Sequence, residues 1–167
     1  MPPLARHLAA VVVVILVAFL AWRWLLPSEE DRVRRRLEAL AADMNDVNDV
    51  RSNVSGLAAM AKVGSYFTAD VVIDPGQGAQ PLHGREVILS AAASLRPSAG
   101  VARLSLTDID VTLGPDQRSA AVTLTALLTR NREGASQTRD AHEFALTMTK
   151  RESEWLISHV TSVDTLR

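Results

Sequence analysis

Val101–Leu113, VARLSLTDIDVTL, is the stretch at which the spacing of apolar residues changes from a helical period to a period of 2. The apolar positions are Leu104, Leu106, Ile109, Val111 and Leu113. They alternate with polar residues, but the alternation slips by one residue around Thr107 and Asp108. Because a one-residue slip exchanges the two faces of a strand, this offset predicts a β-bulge. The stretch therefore predicts a long, irregular strand of a sheet.

Three further stretches downstream alternate in the same way. They are Ser119–Arg130, Gln137–Lys150 and Trp155–Leu166. Turn residues separate them, at Gly114–Asp116, Asn131–Gly134 and Arg151–Glu154. Long strands at hairpin spacing are typical of an antiparallel meander, so the second half of the chain is predicted to be one.

Upstream, the pattern is helical. Ser28 and Asp31 fit a capping box, and an apolar stripe follows at Val33, Leu37, Leu40 and Met44. Asn45–Asn48 predicts a break before a second helix that ends near Val63. Tyr66–Ile73 predicts a short strand, Asp74–Gly84 a loop and Arg85–Leu95 a third helix ended by Pro97.

Residues 8–26, LAAVVVVILVAFLAWRWLL, carry one charge in about 19 residues, nearly enough for a helix to cross a hydrocarbon core. Apolar residues fill the stretch, and two tryptophans with an arginine lie at its end, where headgroups would be. The residues that we assign to the predicted membrane anchor are Leu8, Val12, Ile15, Phe19, Trp22, Arg23 and Trp24. A cleaved signal is the alternative, but Phe19 and Ala21 make a poor cleavage site. We expect a short tail over 1–7, a transmembrane helix over 8–26 and one domain over 27–167.

The composition excludes some classes of function. Net charge is −1, from 18 basic and 19 acidic residues, which leaves no overall basic excess for nucleic acid. There are no cysteines, which excludes disulfides, thiolate metal sites and cysteine nucleophiles.

The order of elements resembles the nuclear transport factor 2-like superfamily, which includes SnoaL-like polyketide cyclases and ketosteroid isomerase. The resemblance covers about Glu29–Arg167 and is carried by Tyr66–Val72, Leu82–Glu86 and Trp155–Val160. It implies an α+β cone of three helices packed on a curved antiparallel sheet that can enclose a pocket.

Many enzymes of this superfamily use a carboxylate or histidine in an apolar pocket, where burial tunes the pKa. The candidates here are His159, Asp70, Tyr66 and His142. A hairpin about Arg151–Glu154 would pair Leu146 with His159 and place both histidines on the face of Phe144, Leu146 and Met148. We interpret the histidines as core or near-core residues, Tyr66 as a packing aromatic and Asp70 as a turn or cap residue. No metal or cofactor motif is present.

A single span ahead of a cone domain also resembles inner-membrane subunits of type IV secretion systems and Mce-associated proteins. We therefore expect a non-catalytic accessory subunit of a bacterial inner-membrane complex. Its partners would be the bilayer and other subunits, or a second copy, with a small-molecule ligand left open. Arginine and lysine counts favour a cytoplasmic domain, whereas a signal-anchor would export it, and we expect the periplasmic side. The alternative is an isomerase- or hydrolase-type enzyme that uses the cone pocket.

Overall fold

The computed structural model describes residues 27–49, 53–76, 78–90, 101–131 and 138–163. Within these residues, two helices come first, α1 (Glu29–Asp49) and α2 (Asn53–Gly64), and residues 85–90 are also helical and are called α3. The strands are β1 (Phe67–Asp74), β2 (Leu82–His83), β3 (Val101–Leu113), β4 (Ser119–Asn131), β5 (Thr138–Arg151) and β6 (Glu154–Val163). The predicted anchor at 8–26 and the rest of the predicted third helix lie outside these residues. Within the described segments, no helix is long and apolar enough to cross a membrane.

The six strands form one sheet in the order β2-β1-β6-β5-β4-β3. The predicted meander of β3 to β6 is confirmed, but the prediction of a wholly antiparallel sheet is wrong because β1 pairs parallel with β6. The predicted loop Asp74–Gly84 also contains β2, which pairs antiparallel with β1. The pairing of β1 with β6 is not signalled by a tight hairpin, because these two strands come from opposite ends of the domain. The result is an α+β fold with a mixed sheet.

The predicted bulge in β3 is confirmed. The register with β4 shifts between Thr107 and Asp110, and Asp108 has a φ of 51°. Aspartate tolerates this left-handed region better than most residues, because its short polar side chain can bond locally. The bulge carries the apolar alternation from Leu106 to Ile109 without exchanging the faces of the strand.

α1 lies across one face of the sheet, which we call the inner face. Its predicted capping box is confirmed: the Asp31 amide donates to Ser28 Oγ at 3.1 Å, and the Ser28 amide donates to Asp31 Oδ2 at 3.2 Å. Val33 and Leu37 are buried against the sheet. The predicted stripe therefore faces the core.

The predicted helix break at Asn45 is wrong, since α1 continues to Asp49. Asn45 instead pairs with the backbone of edge strand β3. Its Nδ2 donates to the Leu104 carbonyl at 2.9 Å, and its Oδ1 accepts from the Leu104 amide at 2.7 Å. A residue typical of helix ends thus serves here as a substitute strand partner.

Large side chains fill the space between α1 and the inner face. Met148, Trp155, Ile157 and Leu37 are each at most 2% exposed and belong to one cluster. Phe144 packs against this cluster and is half-buried. The space between α1 and the inner face is therefore occupied by side chains.

Candidate functional site

The four predicted site residues do not form one site in the structure. Tyr66 is buried just before β1, and Asp70 is exposed in β1. His142 is exposed in β5, and His159 is partly exposed in β6. Tyr66 packs as an aromatic in the core cluster, but it also makes a hydrogen bond that the sequence did not indicate.

The predicted position of His159 on the inner face is wrong. Lys150 pairs with Trp155, as expected, but the register then shifts and His159 pairs with Thr147. The extra residue is Ser158, whose Oγ donates to the Thr147 carbonyl at 3.1 Å. This bulge turns His159 to the opposite side of the sheet, which we call the outer face, and places Val160 opposite Leu146. The two histidines therefore do not share a face.

Asp43 is a buried carboxylate at the centre of a polar network that sequence reasoning missed. Tyr66 donates its hydroxyl to Asp43 Oδ2 at 2.5 Å, and Lys62 Nζ lies 2.6 Å from Asp43 Oδ1. The guanidinium of Arg36 lies 4.3 Å from the centre of the Tyr66 ring, and its Nη2 donates to Glu154 Oε2 at 3.1 Å. The network joins α1, α2, the start of β1 and the β5–β6 turn.

The electrostatics of this network oppose acid–base chemistry near neutral pH. Burial acts to raise the pKa of Asp43, but the hydrogen bonds from Lys62 and Tyr66 and the nearby positive charges outweigh it, so the pKa is lowered. Burial and the hydrogen bond to Asp43 raise the pKa of Tyr66 to about 12. Asp43 is therefore ionised, Tyr66 is protonated, and each already has the other as partner. A general base needs a pKa nearer its working pH and a free proton-accepting position.

A second polar cluster fastens the start of α1 to the β5–β6 hairpin. Glu29 Oε2 accepts from Lys150 Nζ at 2.7 Å and from Trp155 Nε1 at 3.0 Å. Its other oxygen, Oε1, lies 2.8 Å from Arg32 Nη1. The Lys150 hydrogen bond holds the pKa of Glu29 below its usual range. This carboxylate is likewise engaged in holding elements together.

His159 lines an open groove of about 220 Å³ on the outer face. Thr147, Ala121 and Thr123 supply small side chains to the groove, and Asp110 of β3 contributes a carboxylate. His159 and Asp110 lie on strands three places apart, about 14 Å at the usual spacing. They are therefore too far apart to act directly as one acid–base pair. A second groove, of about 310 Å³, lies between α1 and the β5–β6 turn and is lined by Arg32, Arg35 and Arg36.

No metal centre is apparent in the part of the chain that the structure describes. Its residues contain no group of three or more histidine, aspartate or glutamate side chains placed to hold an ion.

Two signals in the sequence could have located the missed features. Asp43 lies three residues after Leu40, on the side of α1 that carries the apolar stripe, so its burial was readable from helical spacing. In β6, the apolar residues Trp155, Ile157 and Val160 show the same phase slip that revealed the bulge of β3.

The sequence model of the SnoaL-like domain family matches residues 57–161 of this chain. Together with the α+β architecture, this match shows that the chain belongs to the SnoaL-like family, as the nuclear transport factor 2-like resemblance predicted. A search of curated proteins finds no match.

Solved structures share the fold at low sequence identity. A candidate aromatic ring hydroxylase from Novosphingobium aromaticivorans is 16% identical, with a TM-score of 0.66 over 83% of this chain and 90% of that chain. A candidate scytalone dehydratase from the same organism is 12% identical, with a TM-score of 0.62 over 81% and 83%. A candidate calcium/calmodulin-dependent protein kinase II association domain from Xanthomonas campestris is 16% identical, with a TM-score of 0.61 over 81% and 89%. At these identities the likeness defines the fold alone.

Proposed function

We propose that this chain is a membrane-anchored, non-catalytic accessory subunit of a bacterial inner-membrane complex, with its SnoaL-like domain on the periplasmic side. The observation that carries the proposal is the use of the buried carboxylate Asp43. It is held by Lys62 and Tyr66 within the domain and has a lowered pKa. Asp43 and Tyr66, which are both buried, therefore join elements of the domain to one another.

The membrane part of the proposal is supported by the position of the apolar stretch. Residues 8–26 end two positions before Ser28, the cap of α1. A helix that starts with its own cap does not need the preceding residues to continue it. Ser28 thus allows an upstream anchor and the folded domain to form as separate elements.

A second candidate is a small-molecule-binding or acid–base enzyme. Its support is the groove of about 220 Å³ that contains His159 and Asp110, together with structural neighbours whose names include a dehydratase and a hydroxylase. The X. campestris neighbour is named as a candidate association domain, and that name supports the first candidate. The two candidates make opposite predictions for His159.

The test compares three full-length variants in the native host, starting from a strain in which loss of the chain has a measurable phenotype. Val12→Arg with Ile15→Arg breaks the apolar stretch and leaves residues 27–167 unchanged, and we expect loss of membrane association and of function. His159→Ala removes the titratable group from the groove, and we expect function to remain. Leu4→Arg is the matched control, a charge added in the tail before the stretch.

Extraction in mild detergent, followed by identification of co-purifying proteins, completes the test. We expect a defined set of membrane subunits with the wild-type chain and with His159→Ala. Loss of function in His159→Ala with normal membrane association would favour the enzyme. Recovery of the wild-type chain outside the membrane fraction would contradict the anchor.

A further inference from the structure

The groove between α1 and the β5–β6 turn is rich in positive charge, and we call it the arginine groove. Its volume is about 310 Å³, and its lining includes Arg32, Arg35, Arg36 and Glu154. Arginine stays protonated in proteins, so all three guanidinium groups are cations at any working pH. Among the described residues that line the groove, Glu154 contributes the one negative charge. This excess of positive charge indicates an anionic ligand.

The positions of the arginines along α1 bring them together. Arg35 and Arg36 lie three and four residues after Arg32, and residues with this separation are neighbours on the surface of a helix. Ala39 continues the same face and also lines the groove, where its small side chain leaves space. Arg34 is exposed on α1 but is not among the residues that line the groove. The arginine groove is therefore formed by one face of α1.

The nearby carboxylates do not neutralise this charge. Glu29 Oε1 lies 2.8 Å from Arg32, but Glu29 Oε2 accepts from Lys150 at 2.7 Å, so two cations share one negative charge. Glu154 lies 3.1 Å from Arg36, but its side chain is 62% exposed, and water screens such a pair. Within the part of the chain that the structure describes, Arg35 forms no ion pair. Arg35 is therefore available to a ligand.

Arg36 is held in place by contacts that leave part of its donor capacity unused. Its Nη2 donates to the Ser65 carbonyl at 3.2 Å and to Glu154 Oε2 at 3.1 Å, and the guanidinium lies 4.3 Å from the centre of the Tyr66 ring. Its Nε is buried and has no hydrogen-bond acceptor among the described residues. A guanidinium has five N–H donors in a fixed plane. Arg36 is thus oriented before a ligand arrives, which lowers the entropic cost of binding.

The chemistry of the groove suits a phosphate group. Guanidinium groups bind phosphate oxygens through paired, charge-assisted hydrogen bonds, which makes arginine the preferred residue for this anion. Pockets for small ligands usually have volumes of roughly 300–1,000 Å³. At about 310 Å³, the arginine groove has room for a phosphate with a small substituent rather than for a whole lipid.

The position of the groove favours a lipid headgroup as the source of the phosphate. Arg32 follows Leu26, the last residue of the apolar stretch, by six positions, and six residues span at most about 20 Å. The residues of α1 that line the groove belong to the half of this helix nearest to residues 8–26. Basic residues next to a membrane span attract anionic headgroups. The anchor that we propose would therefore bring the groove close to phospholipid phosphates.

We propose that the arginine groove binds the phosphate of an anionic phospholipid headgroup. The proposal rests on the proposed function and deepens it, because it names a lipid ligand for the anchored domain. Arg35 supplies a guanidinium without an ion pair, and Arg36 supplies one that is already oriented. A headgroup bound between them holds the start of α1 and the β5–β6 turn toward the membrane surface.

The test measures lipid selectivity of the full chain in a nonionic detergent by native mass spectrometry. Short-chain phosphatidylglycerol is the anionic probe, and short-chain phosphatidylcholine is the zwitterionic one. We expect wild type to bind phosphatidylglycerol more tightly by about fivefold or more. Arg35→Gln removes one charge from the groove, so we expect phosphatidylglycerol binding to weaken by about fivefold while phosphatidylcholine binding is unchanged.

Arg34→Gln is the matched control, because it removes the same charge from the adjacent exposed position outside the groove. We expect its phosphatidylglycerol binding to stay within about twofold of wild type, since exposed charges that do not contact the ligand are screened. Circular dichroism verifies that both variants are folded. Equal weakening by the two variants would overturn the proposal, by assigning the attraction to the general charge of α1. Equal binding of the two lipids by wild type would overturn it as well.

Two further arms separate the source of the phosphate and the role of the anchor. If glycerol phosphate binds as tightly as phosphatidylglycerol and Arg35→Gln weakens both, the assignment to a lipid is overturned in favour of a soluble phosphate. We expect the Val12→Arg with Ile15→Arg chain to leave the membrane fraction but to keep its selectivity for phosphatidylglycerol in detergent. Loss of that selectivity would overturn the proposal by assigning the lipid to residues 8–26. Recovery of the wild-type chain outside the membrane fraction would instead contradict the proposed function.

Discussion

The two faces of the sheet use polar residues in different ways. On the inner side, ionisable groups of the helices are bound within the domain, as in the contacts of Asp43 with Lys62 and Tyr66 and of Glu29 with Lys150. On the outer face, Asp110 and His159 line an open groove and lie on strands three places apart. Polar residues near a cone of this kind therefore need not indicate catalysis. Those on the inner side hold elements of the fold together, and those on the outer face line an open groove.

We expect the greatest loss of stability from a change on the inner face. Met148 is 0% exposed, and replacing it with alanine removes side-chain contacts and leaves a cavity. We expect Met148→Ala to lower the free energy of unfolding by about 2–5 kcal/mol. Urea denaturation of the full chain in detergent, followed by circular dichroism, measures this change.

The control for Met148→Ala is its neighbour on the other face. Thr147 is exposed on the outer face, and we expect Thr147→Ala to change the free energy of unfolding by no more than about 0.5 kcal/mol. Equal losses at the two positions would remove the distinction between the faces.

The next effect comes from the network around Asp43. Asp43→Ala leaves the Tyr66 hydroxyl without its acceptor in a buried position, so we expect a loss of about 1–3 kcal/mol in the free energy of unfolding. Glu38→Ala, an exposed acidic position on the same helix, is the control and should be close to neutral. If Asp43→Ala leaves the free energy of unfolding unchanged, the network does not stabilise the packing of α1 near the start of β1.

The same network makes stability depend on pH. The pKa of Asp43 is lowered on folding, so its contribution is present above the ordinary value of 3.8 and is lost as the pH falls through the lower folded value. The pKa of Tyr66 is raised from 10.0 to about 12, so its contribution is present below pH 10 and is lost as the pH rises through about 12. When urea midpoints are measured across pH, we therefore expect the midpoint of Asp43→Asn to fall less steeply at low pH than that of wild type. We expect the midpoint of Tyr66→Phe to fall less steeply at high pH than that of wild type. Parallel curves for the variants and wild type would contradict this account.

We expect a minor loss of stability from a change at the start of α1. Ser28→Ala removes the hydroxyl that accepts from the Asp31 amide, and we expect a loss of about 1 kcal/mol. Ser153→Ala, in the exposed β5–β6 turn, is the control. Because Ser28 follows the apolar stretch so closely, a much larger loss would indicate that the cap also maintains the junction with residues 8–26.

Much of the fold was predictable because its signals are local. The alternation in Val101–Leu113 and its slip at Thr107–Asp108 correctly gave a bulged strand, and Ser28 with Asp31 gave the cap. The candidate site was less predictable. The pairing of His159 with Thr147 depends on a bulge in β6, and the role of Asn45 depends on where β3 lies relative to α1.

The amino-acid sequence alone specified the type and order of the main elements, their SnoaL-like character and the apolar stretch at 8–26. Helical and strand periodicities, caps and turns act between residues a few positions apart, so they can be read without a structure. Three features depend on the tertiary fold: the parallel pairing of β1 with β6, the outer position of His159 and the partners of Asp43. Those features join residues far apart in the chain, where a shift of one residue in register moves a side chain to the other face of the sheet.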